Sequence, residues 1–146
     1  MSDLLLKKDD IKKVIPHREP ILMIDSVLEM DAGKRIRTSF YLDPAYDFFR
    51  GHFPEEPVMP GVLTVESMAQ TADVLLLSMP EYAGKIPLFI GIDQVRFKQK
   101  IEPGDTIEIE AEIQTVNEAK AVVTCKATVY NKKTISTTGL VTLAMR

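Results

Sequence analysis

Hydrophobic and polar positions alternate most cleanly in the C-terminal part of the chain. Between Thr106 and Val116, Ile107, Ile109, Ala111 and Ile113 point one way while Glu108, Glu110, Glu112 and Gln114 point the other. A period of two marks a strand with one buried face. The pattern returns from Ala121 to Tyr130, with Ala121, Val123, Cys125, Ala127 and Val129 on one side and short turns at Asn117-Glu118-Ala119 and Asn131-Lys132-Lys133. Thr134 to Met145 completes a meander. Upstream, apolar runs from Leu22 to Met30 and from Arg35 to Leu42 flank Asp31-Ala32-Gly33-Lys34 and predict a hairpin, and Leu88 to Lys98 supplies a sixth strand.

The period changes once, between Pro60 and Pro80. Val62, Leu63, Val65, Met68, Ala69, Ala72, Leu75, Leu76 and Met79 spread over a broad helical face, and Glu66 is the single charged residue from Gly61 to Ala72. Such a helix, Gly61 to Met79, belongs inside a protein. A short helix around Asp9 to Val14, closed by Pro16, precedes the first strand. Six strands at about 4.8 Å spacing make a sheet nearly as wide as a helix of about 19 residues is long, roughly 28 Å. The expected architecture is therefore α+β, an antiparallel sheet of six strands curled around one long helix. No repeat, linker or shift in composition interrupts residues 1–146, which read as one domain.

Composition narrows the function. With 18 basic and 21 acidic side chains the net charge is −3, which offers no general attraction to nucleic acid. The single cysteine excludes an internal disulfide framework, and two histidines argue against a Cys/His metal cage. The longest greasy stretch, Val74 to Leu77, is far short of the ~20 residues that span a bilayer, and Leu4 to Leu6 is too short for a signal-peptide core, so a cytoplasmic location without a membrane partner is expected.

Candidate chemistry gathers just before the long helix. Phe49-Arg50-Gly51-His52-Phe53-Pro54 sets a histidine in a Gly/Pro-rich loop, and Met59-Pro60-Gly61-Val62-Leu63 opens the helix. Unpaired N–H groups of a first helical turn can hold a developing negative oxygen, and Gly61 has no side chain to block approach. His52 reads either as a base or as a loop histidine capping a carbonyl. Glu66, Gln70 and Asp73, at i, i+4 and i+7, read either as a solvated stripe or as a site; in apolar surroundings the Glu66 carboxyl would tend to hold its proton and serve as an acid. His17 reads as a loop-fixing residue, Cys125 as packing, and Arg96, Lys98 and Lys100 as a basic face at a strand end that could receive an acidic partner. No G-x-S-x-G elbow or phosphate-binding glycine loop occurs.

Together the G-H-F-P loop, the M-P-G-V-L helix start, E-S-M-A-Q from Glu66 to Gln70 and Gly91-Ile92-Asp93-Gln94-Val95-Arg96-Phe97 resemble the beta-hydroxyacyl-acyl carrier protein dehydratases of fatty-acid synthesis, the FabZ type. The resemblance runs from Ile15-Pro16-His17-Arg18 through Ile24-Asp25-Ser26-Val27 to Ile101-Glu102-Pro103-Gly104-Asp105. It implies the hot-dog fold, with His52 and Glu66 as the catalytic pair and Gly61 N–H on the thioester carbonyl. It further implies that each site combines His52 of one subunit with Glu66 of its dimer partner, that dimers assemble as trimers of dimers, and that the acyl chain lies in a narrow tunnel at the dimer interface. Acyl carrier protein is the implied partner, and no metal or organic cofactor is implied. Glu66 resembles the dehydratase-only branch, since the isomerising branch usually carries aspartate there. Glu55-Glu56, Glu19 and Ile21 depart from the family pattern, which commonly has a glycine and a basic residue at the first pair and aromatic residues at the other two. Two rivals remain: a hot-dog acyl thioesterase, in which a carboxylate activates water and no histidine base is needed, and a non-catalytic acyl-binding module.

Overall fold

The computed structural model describes residues 4–146. Its elements in chain order are β1 (Leu6–Lys7), α1 (Lys8–Ile11), β2 (Ser26–Asp31), β3 (Arg35–Tyr41), α2 (Asp47–Gly51), α3 (Gly61–Leu77), β4 (Pro87–Phe97), β5 (Thr106–Asn117), β6 (Val122–Asn131) and β7 (Thr134–Met145). The strands form one antiparallel sheet in the order β1-β2-β3-β5-β6-β7-β4. Seven strands replace the expected six, because Leu6 and Lys7 pair with Val27 and Ser26. A strand of two residues has no alternation from which to be read.

The expected periodicity holds in the meander. Ile107, Ile109 and Ala111 of β5 are buried with Val123, Cys125, Ala127 and Val129 of β6, and Ile109 stands directly opposite Val129. Ala121 lies outside the strand, in a turn with φ of 54°. On the other face of β5, Glu108 and Glu110 meet Arg37 and Arg35 of β3 at 2.8 and 3.2 Å, so the polar half of the alternation is itself paired across strands.

α3 is shorter than expected by two residues. It ends at Leu77, where the Ser78 hydroxyl donates to the Val74 carbonyl at 2.6 Å. From Thr64 to Leu77 every residue except Glu66 is buried, which a curled sheet on one side and the loop before β2 on the other accomplish together. Thr38 of β3 and Thr71 of α3 join hydroxyls at 2.8 Å and pin the helix to the sheet. β2 begins four residues later than expected. Leu22, Met23 and Ile24 are buried but not in a ladder, because the Met23 N–H donates 2.7 Å to the Gln70 side chain of α3 instead of to a neighbouring strand. α1 is likewise cut to a single turn, and α2 is an element that the pattern did not reveal.

β4 is the last strand of the sheet, and its outer surface is apolar: Leu88, Ile90, Ile92 and Phe97 are exposed, as is Val62 at the start of α3. The strand bulges between Asp93 and Arg96, with Gln94 at φ 52°. The bulge brings Val95 over Gly139 of β7, where an added Cβ would stand 2.7 Å from Val95 Cγ2 and 3.5 Å from Met68 Cε. Among the described residues no helix is long and apolar enough to cross a membrane.

Gly139→Ala is expected to lower stability by about 1–3 kcal/mol through overpacking against Val95, seen as a lower urea midpoint with an unchanged slope. A midpoint equal to that of the parent would show that the bulge yields freely.

Candidate active site

His52 follows α2 and opens the loop leading to α3. Its N–H donates to the Phe48 carbonyl at 3.1 Å, and its carbonyl accepts from Val58 N–H at 2.9 Å. Reciprocal bonds between Phe53 and Glu56, at 3.3 and 3.1 Å, close the loop between them. The ring adds a further tie: Nδ1 lies 3.0 Å from the Val58 carbonyl. A carbonyl only accepts, so Nδ1 is the donor, and in the neutral ring the lone pair lies on Nε2. His52 is thus a carbonyl cap, and the cap leaves a basic nitrogen free.

Val58 and Gly61 line one cleft of about 570 Å³, with Phe97, Lys98 and Lys100 among its other walls. Pro60 gives α3 no side-chain cap, and the Leu63 and Thr64 N–H groups turn back to its carbonyl at 3.0 and 3.1 Å. The Phe97 ring covers Gly61 so closely that a Cβ would stand 2.9 Å from the ring's Cζ. An adjoining apolar hollow of about 240 Å³ lies between Val62 and Val65 of α3 and Phe89, Ile92, Val95 and Phe97 of β4.

Glu66 lies one turn beyond Val62. Gln70, fully buried, donates from Nε2 to Glu66 Oε2 at 2.8 Å and to the Ile21 carbonyl at 2.7 Å, while its Oε1 accepts from Met23 N–H. Every polar atom of that amide is used, so its orientation is unambiguous and the Glu66 carboxyl is held to the loop before β2. Asp73 is 2% exposed, and His17 Nε2 lies 3.6 Å from Asp73 Oδ2 and 3.8 Å from Glu66 Oε2. The stripe of Glu66, Gln70 and Asp73 is therefore not solvated: the loop carrying His17, Ile21 and Met23 covers it. Desolvation, and then the Glu66 charge, push the Asp73 carboxyl well above the usual carboxylate range. Desolvation also lowers His17, against the Glu66 charge that raises it and with Arg18 that lowers it.

Sequence reading leaves Gln70 and Asp73 open between a solvated stripe and a site and takes His17 as a loop-fixing residue, whereas the structure brings the three together beside Glu66. The signal was present in three polar residues at helical spacing on an otherwise apolar helix, but the residue that faces them lies some fifty positions earlier in the chain. His52 and Glu66 make no hydrogen bond or ion pair with each other within one chain, among the described residues. Cys125 is buried in β6, its thiol pushed up to about 12 by desolvation and the nearby Asp73, which leaves it uncharged packing. Lys98 and Lys100 lie beyond the end of β4 rather than on it, and Lys100 pairs with Glu56 at 3.2 Å. That pairing removes part of the negative charge that Glu55-Glu56 brings to the loop. Among the described residues, no group of three or more His, Cys, Asp or Glu side chains could hold a metal ion.

Asp73 also makes a measurable contribution to pH dependence. A carboxyl whose folded pKa is raised favours folding fully below the ordinary value near 3.9 and progressively less as pH rises toward the raised value. Asp73→Asn removes that loss, so the melting temperature of the variant relative to the parent is expected to rise between pH 5 and pH 8. A difference that stays constant over this range would show Asp73 already ionised in the fold.

The FabA-like domain family matches residues 15–138. A relative from Desulforamulus reducens named 3-hydroxyacyl-[acyl-carrier-protein] dehydratase FabZ is 50% identical over 109 residues, covering 75% of this chain and 77% of the relative. One of the same name from Clostridioides difficile is 45% identical over 123 residues, covering 84% and 87%. Among solved structures, the dehydratase heterocomplex ApeI:P from Xenorhabdus doucetiae superposes with a TM-score of 0.79 at 15% identity, over 93% of this chain and 90% of that one. A mutant thioesterase from Pseudomonas aeruginosa gives 0.62 at 10% identity, over 82% and 80%. These distant likenesses speak to the fold, a hot-dog sheet around a central helix. The close ones, in sequence, speak to the family: this chain belongs to the FabZ-type 3-hydroxyacyl-[acyl-carrier-protein] dehydratases, within the FabA-like family.

Proposed function

We propose that the chain removes water from a (3R)-hydroxyacyl group on acyl carrier protein, in fatty acid biosynthesis, with His52 as base and Glu66 as acid. The observation that carries the assignment is the bond from His52 Nδ1 to the carbonyl of Val58, which lines the cleft together with Gly61; in the neutral ring that bond puts the lone pair on Nε2. Nε2 takes the C2 proton, and the electron pair of that bond becomes the C2–C3 double bond. The C3–O bond breaks, and Glu66 supplies the proton with which the hydroxyl leaves as water. The Gly61 N–H, at the uncapped start of α3, polarises the thioester carbonyl while charge develops on its oxygen. The product is the trans-2-enoyl thioester. His52 ends protonated and Glu66 ionised, and both must exchange protons before the next turnover.

The site is composite in this reading. His52 of one subunit acts with Glu66 of the partner subunit, the dimer forming along the exposed apolar edge of β4 and Val62, and dimers associating in threes. Two features support it: no hydrogen bond or ion pair joins the two groups within one chain among the described residues, and a second copy would bury the row of exposed apolar side chains. The hollow between α3 and β4 suits an acyl chain, and Lys98 beside the cleft suits the acidic surface of a carrier protein.

Incubation with a 3-hydroxyacyl thioester is expected to yield enoyl product; release of free thiol without it would indicate hydrolysis instead. His52→Ala and Glu66→Gln are each expected to lower kcat by about 10²–10⁴-fold. Co-expressed in equal amounts, the two inactive variants form mixed dimers in half of the cases, each with one intact site of two, so about a quarter of parental activity returns. No recovery from verified mixed dimers would place the pair within one chain.

A further inference from the structure

Behind Glu66 lies a group that the elimination does not use. His17 Nε2 stands between two carboxyls, 3.8 Å from Glu66 Oε2 and 3.6 Å from Asp73 Oδ2, each slightly beyond a hydrogen bond. His17 Nδ1 and Asp73 Oδ1 are buried and have no hydrogen-bond partner among the described residues. The His17 side chain is 18% exposed and its Nδ1 is buried, so exchange with solvent falls to Nε2, the nitrogen nearest Glu66. Its backbone is held, since Arg18 donates to the carbonyls of Lys12, Ile15 and His17 at 2.8, 3.0 and 2.7 Å. A ring fixed at its root but bonded to neither carboxyl can turn toward either.

We propose that His17 returns the proton to Glu66 after each turnover, as a relay between solvent and the acid at the back of the site. This rests on the reading of Glu66 as the acid. Turned toward solvent, Nε2 takes a proton and the ring becomes imidazolium; turned back, it faces the Glu66 carboxylate. The Nε2–H bond then breaks as an O–H bond forms on the Glu66 carboxylate, and neutral imidazole is restored.

The groups facing His17 suit the task. Glu66 and Asp73 come from α3, Arg18 is its chain neighbour, and Cys125 of β6 lies near Asp73 with its thiol neutral. An ionised Asp73 at 3.6 Å would trap the imidazolium in an ion pair, but burial shifts that carboxyl toward its protonated form, which favours a mobile His17 proton. Desolvation holds His17 below the ordinary imidazole value, so the imidazolium gives its proton up readily. Gln70 keeps Glu66 Oε2 stationary while the ring moves.

A relay acts after the chemistry, so a rapid-quench experiment separates it from a structural role. In His17→Asn the first turnover is expected at the parental rate, giving a burst of one enoyl product per site. A steady-state kcat about tenfold lower follows, KM stays within about twofold, and added imidazole restores kcat. A first turnover slowed as much as the steady state, or no rescue by imidazole, would overturn the proposal. Glu66→Gln serves as the control: full activity there would remove the acid assignment itself, a failure distinct from that of the relay. Should His17→Asn not fold, NMR titration of His17 decides in the parent and Glu66→Gln proteins. Loss of the Glu66 charge is expected to lower the His17 midpoint, and an unmoved midpoint would sink the coupling.

Discussion

The structure depends on burying one helix from every side. Each large apolar side chain removed from water contributes about 1.5–3 kcal/mol, and α3 brings Val65, Met68, Val74, Leu75, Leu76 and Leu77 into the core. The same enclosure makes an unpartnered polar group costly, and most of those on α3 find a partner, Asp73 Oδ1 being an exception. Thr71 finds Thr38, Ser67 finds the Thr64 carbonyl, and Gln70 spends its whole amide on Ile21, Met23 and Glu66. Glu66 alone between Thr64 and Leu77 escapes full burial. The one opening in the wrapping is thus where a carboxyl can meet a ligand, and the seal around it is what gives that carboxyl a fixed position.

Enclosure also explains how the start of the helix is shaped. Pro60 leaves the first turn uncapped, Gly61 lets the Phe97 ring close over the backbone, and the His52 ring is tied to the carbonyl of Val58, a cleft-lining residue. The His52 ring, the helix start and the aromatic wall are set by three separate backbone segments, anchored by main-chain bonds such as Met59 N–H to the Ile101 carbonyl at 2.8 Å. Groups held by such bonds need no further ordering when a ligand arrives.

Much of this was legible in the residues. The strands Thr106 to Val116 and Ala121 to Tyr130 are half buried and so announce their period, and the long helix announces itself by carrying one charge among apolar neighbours. The order of motifs pointed to the family, and the relatives bear that out. What escaped has physical reasons. β1 and α2 are too short to show a period, and Leu22 to Ile24 look like a strand because burial is alike in a ladder and under a side-chain clamp. The stripe of Glu66, Gln70 and Asp73 was ambiguous because polarity along a helix does not say what lies opposite. Only the fold brings His17 there.

The two margins of the sheet are unlike. β1 closes one with two residues, offering a newcomer almost no ladder, whereas β4 leaves eleven residues unpaired on its outer side. A molecule with a single adhesive margin can join its twin once, margin to margin about a twofold axis, and then has none left. That asymmetry works against an endless ribbon, because growth past a pair would have to start from the short margin at β1.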